Sequence, residues 1–299
     1  MKGRTMWGAL HSTTVALLLA VALAVPTGAA AQKTFATPEA AAEAFVDSLA
    51  RHDDAELSAV LGRDHRRLIA FDDVSAEDRT DFLAAWAKGH RIVPAGEGAA
   101  KVELSDGWTL PIPMVRTAAG WRFDPVAGAD EMRTRRIGRN ELATIQAMYA
   151  YVDAQREYAE QDRDGNGILE YAQKILSVPG RHDGLYWPTT DGEARSPAGP
   201  LLDTADLKDG YHGYRFRILK AQGPAARGGT RSYVRRNRMT DGFALVAWPA
   251  HYGETGVKSF LVNHDGVVYE RNLGPSTASI AGAMTRFDPD SGWTALPAP

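Results

Sequence analysis

Twice along this chain, a stretch written in helical period gives way to strand-length runs, so each half carries its helices at its front. A doubly wound parallel sheet needs strand and helix in alternation. Helices followed by strands instead predict α+β architecture with antiparallel sheets. The first half opens with TPEAAAEAFVDSLA, where Thr37 has N-cap chemistry, Pro38 takes the favoured first helical position, and Ala42, Phe45, Val46 and Leu49 recur at helical spacing. In DDAELSAVLG, Asp53 and Glu56 have capping-box spacing, Leu57, Val60 and Leu61 make an apolar stripe, and Gly62 is the stop. A third helix begins at Ser75, with Asp78 three residues on and Phe82, Leu83 and Trp86 before Gly89. The runs KVELSD, WTLPIPMVR and GWRFDP, split by Asp-Gly and Ala-Gly turn signals, then supply a curled antiparallel sheet that closes an α+β domain over residues 32–128.

Residues 129–139 read as a basic linker, with Arg133, Arg135, Arg136 and Arg139 solvated or set to dock an anionic glycan or lipid. The second domain, 140–299, starts with a long helix from Asn140 to Gln161, marked on one face by Leu142, Ile145, Met148, Tyr149, Val152 and Tyr158. A polar loop and a brief helical stretch stopped by SVPG follow. Beyond them YHGYRFRIL, GFALVAWP, VKSFLVN and VVYER have the length and composition of strands, with a hairpin turn at HDG. A helix followed by an antiparallel meander is again α+β.

Nothing covalent holds these halves, because the 299 residues include no cysteine. Residues 1–31 read as a cleavable export signal: Lys2 and Arg4 form a basic front, Val15 to Val25 is apolar, and Ala29-Ala30-Ala31 offers a small-residue cleavage site. Cleavage leaves Gln32 first in a periplasmic or secreted chain of 268 residues, with no membrane span. The formal charge of −3 becomes −5 once Lys2 and Arg4 are gone. A mildly acidic chain has no general pull on nucleic acid.

The strongest ligand signal is DRDGNGILEYAQ, residues 162–173. A twelve-residue calcium loop wraps alternate oxygens around the ion. On that template Asp162, Asp164 and Asn166 ligate through side chains, Ile168 through its carbonyl, and Glu170 directly or through water. Gly167 makes the sharp bend, and Leu169 points to the core. Gln173 stands where a bidentate Glu is expected, which weakens the site toward a Kd of about 10⁻⁴ to 10⁻³ M and favours a structural ion. The competing reading is a polar turn whose Asp, Asn and Gly are chosen for left-handed backbone angles.

Catalytic signatures are sparse. Cysteine nucleophiles are absent by composition, and the sequence contains no Ser-x-x-Lys, Gly-x-Ser-x-Gly or His-Glu-x-x-His. Glu170 and Asp183 flank DGLYWP, where Tyr186 and Trp187 have the chemistry to stack on a sugar, so a cell-wall hydrolase working through carboxylates near Asp183 is one alternative. The competing reading makes the aromatics core residues. His212 is a lone candidate base. A second basic patch, Arg227, Arg231, Arg235, Arg236 and Arg238, has the chemistry to meet phosphates or carboxylates of an envelope polymer, and otherwise is a solvated β-connection.

Three resemblances follow from longer strings. EYAQKILSVPGRHDGLYWP, GYHGYRFRILKAQGPAARGG and GFALVAWPAHYGETGVKSFLVNHDGVVYERNLG resemble the signature segments of the bacterial family called domain of unknown function 2950. That resemblance implies an envelope location and no reaction. The strand order ending in GWRFDP resembles the cone of nuclear transport factor 2-like and cystatin-like domains. Residues 140–288 are similar to the globular part of pseudopilins and pilins, which implies a fibre subunit, although the long apolar N-terminal helix of that group is missing directly before the domain. The reading that best joins these observations is a non-catalytic binding or scaffold module of the cell envelope, facing an envelope protein or an anionic polymer.

Overall fold

A computed structural model describes residues 31–68, 75–163, 165, 167–188, 195–199 and 210–297. The export segment, apart from Ala31, lies outside the described residues.

Three expected helices form where their caps are. Helix α1 is Pro38–Ala50, capped by Thr37 accepting from Ala40 N; α2 is Asp54–Leu61, capped by Asp53 accepting from Glu56 N. A single helical turn, α3 (His65–Leu68), separates them from α4 (Ala76–Lys88), whose Ser75 and Asp78 make a reciprocal capping box. The sheet that follows has the order β1 (His90–Pro94), β2 (Ala99–Leu104), β3 (Met114–Thr117), β4 (Gly120–Phe123), each antiparallel to its neighbour. Strand β1 was not legible as one. The WTLPIPMVR run yields only β3, because Pro111 and Pro113 have no N–H to give a ladder.

The segment read as a linker is the largest departure. Helix α5 runs unbroken from Pro125 to Ala159, so residues 129–139 are helical and the long helix starts fifteen residues before Asn140. Its N-cap explains the early start: Asp124 Oδ1 accepts from Val126 N and Ala127 N, and Pro125 sits at the first helical position. The arginine run is compatible with helix, and Arg135 pairs with Glu131 one turn back at 2.9 Å.

Helix α5 then serves two cores. Near its start, Gly128 lies so close to Ile112 that an added Cβ would sit 3.1 Å from that side chain, and Met132 packs against the first core of α1, α2 and the four-stranded sheet. Further on, Met148, Tyr151, Val152 and Tyr158 belong to a second core. That core rests on a meander ordered β13 (Thr294–Ala295), β12 (Tyr269–Asn272), β11 (Lys258–Asn263), β10 (Ala244–Pro249), β5 (Tyr214–Leu219). All six residues of β10 are buried, as befits a central strand covered on both faces. Between β5 and β10 lie two small ladders, β6 (Ala221–Gln222) with β7 (Arg231–Ser232), and β8 (Val234–Arg235) with β9 (Arg238–Met239). A short helix, α6 (Thr277–Ala283), was not anticipated. The fold class is α+β, with a long helix leading into a β-rich C-terminal part. No helix among the described residues is long and apolar enough to cross a membrane.

The brief helix expected after the polar loop is also absent. Residues 171–177 run irregularly, held by Tyr171 N donating to Met239 O and Ser177 N donating to Tyr186 O. Gln155, fully buried on α5, explains why. Its Oε1 accepts from Ala172 N at 2.8 Å and its Nε2 donates to Ala172 O at 2.9 Å. One side-chain amide thereby replaces the backbone partners that a helix would have supplied.

Candidate functional site

Pinning Ala172 to α5 sends its neighbours outward into a cleft of about 520 Å³ beside the β8–β9 hairpin. Glu170, Gln173 and Lys174 come from the pinned segment, Asp183 from the turn after it, Lys220 from the end of β5, and Arg236 and Arg238 from the hairpin. The hairpin presents its arginines through an unusual turn. Arg235 and Arg238 pair across it, leaving Arg236 and Asn237 as the two central residues at φ +46° and +69°. Two positive φ values define the type I′ turn that suits strand twist. Asn tolerates that angle; for Arg it costs on the order of 1 kcal/mol.

The charges in the cleft do not cancel. Four cations, Lys174, Lys220, Arg236 and Arg238, face two carboxylates, Glu170 and Asp183. Asp183 accepts from Lys174 Nζ at 2.6 Å and from Val178 N at 2.9 Å. Slight burial raises its pKa, but the lysine, the amide and the nearby Arg181 outweigh it, so the carboxyl stays below the usual Asp range. Glu170 lies 3.4 Å from Arg238. Among the described residues Lys220 Nζ donates to the neutral amide of Gln173 alone, whose Nε2 in turn donates to Asn237 O. Arg236 is exposed and has no hydrogen bond or ion pair among the described residues. Among the described residues two cations are therefore left without an acid.

The sequence profile of one family, described as protein of unknown function (DUF2950), matches residues 32–296. The chain belongs to the DUF2950 family. No curated protein and no solved structure matches it. The two looser likenesses, to transport-factor cones and to pilin domains, thus stand on sequence pattern alone. Residues 170–188 supply four of the seven cleft residues discussed above, Glu170, Gln173, Lys174 and Asp183, and Gln173 and Glu170 in turn contact Lys220 and Arg238.

The remaining candidates in this DUF2950 protein fall into place around the cleft. In the loop, Asp162 Oδ2 accepts from Gly167 N at 2.7 Å, and Gly167 takes φ +80°. Asp164 and Asn166 lie outside the described residues. Ile168 is exposed, and Leu169, expected in the core, is 58% exposed because the segment turns inward only at Ala172. Glu170 and Gln173, positions nine and twelve of the template, make their contacts in the cleft. Among the described residues no group of three or more acids and histidines is placed to hold a metal.

Trp187 is 4% exposed, stacked on His182 at 4.2 Å with Arg163 over its ring at 5.7 Å, so it is a core residue. Tyr186 is half-buried, with its backbone paired to Ile175 and Ser177. His212 occupies a tight turn with Gly213, at φ +49° and +69°, where its ring packs edge-on against Tyr211. The arginine patch is divided: Arg231 bonds His264 Nε2, Arg235 pairs with Asp241, Arg238 pairs with Glu170, and Arg227 is exposed on the preceding loop. Only Arg236 and Arg238 reach the cleft.

Lys174, Lys220 and Gln155 carried no motif. Gln155 did leave a trace: it interrupts the apolar stripe of α5 one turn after Tyr151, whose hydroxyl it also contacts at 3.0 Å. A polar side chain on a buried helix face needs a partner, and the partner is what organises the cleft.

Proposed function

We propose that this protein is an exported module of the cell envelope that binds anionic groups of an envelope polymer in the cleft between Gln173, Lys220 and Arg236, and catalyses no reaction there. The observation that carries the reading is the excess of cations over acids, with each acid already engaged by a cation. Lys220 and Arg236 supply five or more N–H donors to phosphate or carboxylate oxygens, the groups that guanidinium and ammonium recognise best. The hydrolase alternative needs one carboxyl protonated near neutral pH. Asp183, held below the usual range, does not supply that acid, and Glu170, the other carboxylate of the cleft, is ion-paired with Arg238. Export is supported by the basic front, apolar run and alanine triplet of residues 1–31.

Calorimetric titration of the chain from Gln32 with polyphosphate and with polyglutamate tests the reading. Binding is expected at low salt, weakening as ionic strength rises, and Arg236→Ser with Lys220→Ser should abolish it. Unchanged binding in that double variant, or cleavage of cell-wall polymer that depends on Asp183, would sink it. Mass measurement of the exported chain checks the cleavage site.

A structural calcium ion on the 162–170 loop is a second reading, favoured by the bond from Gly167 N to Asp162 Oδ2 that curls the loop on itself. Asp162, Asp164, Asn166 and the Ile168 carbonyl would hold it, with Glu170 directly or through water. Melting with millimolar calcium and with chelator is the test; equal midpoints remove the ion.

A further inference from the structure

The N-terminal half contains a second cleft, of about 530 Å³, bounded by α1, α2, α4, the 108–112 segment and Met132 of α5. It exists because α4 stands off from the core. Phe82, Leu83 and Trp86 face inward as their spacing requires, yet no residue of α4 is fully buried. Phe82 instead forms one side of an aromatic wall, edge-on to Phe45 at 6.2 Å and to Trp108 at 6.0 Å. Trp108 is 42% exposed, and Arg135 covers its ring from 5.8 Å. An apolar cleft of this size with few polar groups has the form of a small-molecule site.

The polar groups at its rim decide the ligand. Ser48 donates to Phe45 O, and buried His65 meets Gly62 O through Nδ1 at 2.7 Å. Asp54 pairs with Arg66 at 3.0 Å. Asp78 is spent on the cap of α4, where Ser75 N and Oγ hold it below the usual Asp range. Arg79 is the exception: among the described residues its side chain makes one polar contact, NH1 with His52 Nδ1 at 2.6 Å. Arginine only donates, so Nδ1 accepts and the histidine hydrogen resides on Nε2. His52 is brought there by helix geometry. It occupies the left-handed position after α1 at φ +53°, and Asp53 N closes the turn on Ser48 O. Among the described residues the rim therefore offers one guanidinium that pairs with no acid and one imidazole N–H, above apolar walls.

We infer that this cleft binds a small amphiphile with an alkyl or aryl body and one carboxylate, the body against Leu49, Phe82 and Trp108 and the carboxylate on Arg79 and His52. The site is separate from the polymer cleft and does not rest on that reading. Isothermal titration of the chain from Gln32 with sodium decanoate, and with decanol, both below their aggregation limits, tests it. Decanoate should bind at one site per chain and decanol at least tenfold more weakly. Arg79→Gln should weaken decanoate at least tenfold while leaving decanol unchanged, and Leu49→Trp should fill the cleft and remove both. Arg236→Ser should change neither. Because Arg79 is a partly exposed side chain, its variant keeps the fold, which a thermal melt verifies. No binding of decanoate, equal affinity for decanoate and decanol, or full affinity in Arg79→Gln would each overturn the inference.

Discussion

The two halves share one helix and open two clefts of nearly equal volume, about 530 Å³ and 520 Å³, with opposite chemistry. The difference comes from what builds the walls. Around the first cleft they are amphipathic helix faces and a proline-broken strand, so the walls are apolar and continuous with the core beneath a polar rim. Around the second they are loop backbone and a hairpin tip, where side chains point away from a β-core already closed by β10 and β11, so the lining is charged. A wall made of a packed element binds through burial, whereas a wall made of turns binds through donors and charge.

That contrast can be broken by mutation. Phe45→Ala, beneath the apolar cleft, should cost about 3–5 kcal/mol in urea unfolding, since a large core side chain leaves both lost burial and a cavity. The polar cleft has one comparably deep dependence. Gln155→Ala orphans both Ala172 N–H and C=O, and each unpaired buried group costs about 1–3 kcal/mol, so a loss near 3 kcal/mol is expected, together with weaker polyphosphate binding. If Gln155→Ala melted like the parent, the pinning of the cleft to α5 would be wrong.

These two residues also show what the sequence made legible. Phe45 belonged to a helical stripe, and stripes, caps and turn signals were enough to place α1, α2, α4 and the long strands of the meander. Helix α5 was harder, because the arginine run from Arg133 to Arg139 has the composition of a linker. Only the Asp124–Pro125 cap, hidden at the end of a strand-like run, marked its true start. The cleft was partly legible: Glu170, Gln173, Asp183, Arg236 and Arg238 were singled out, but as parts of separate ideas, and Lys174 and Lys220 were not. What joins them is the capture of Ala172 by Gln155, seventeen residues away, and the bridging of Lys220 to the hairpin by Gln173. Side-chain amides acting as backbone partners have no sequence period, so the residues they assemble look scattered.

Smaller effects sharpen the comparison. If calcium binds the 162–170 loop with a Kd near 10⁻³ M, 5 mM ion should add about 1 kcal/mol and raise the melting midpoint by a few degrees, with no effect on decanoate binding in the other half. The Lys174–Asp183 pair should contribute a few tenths of a kcal/mol, since Lys174 is about half exposed. Its pH dependence has a definite sign. The folded pKa of Asp183 is depressed, so its contribution is complete above the unfolded value of about 3.9 and is lost as pH falls through the folded value. Lys174→Met should shrink that acid-side loss, leaving the part owed to Val178 N and Arg181, read from denaturation midpoints between pH 5 and pH 2.

The most direct measurement is a paired one on Arg236→Asn. The turn angle of +46° suits Asn better than Arg, so the variant should be more stable by about 0.5 kcal/mol, while salt-sensitive binding of polyphosphate falls at least tenfold. Opposite movement of stability and binding means that the arginine is kept at the hairpin tip for its charge. Unchanged binding would contradict the anion cleft and leave Arg236 a residue of the turn alone.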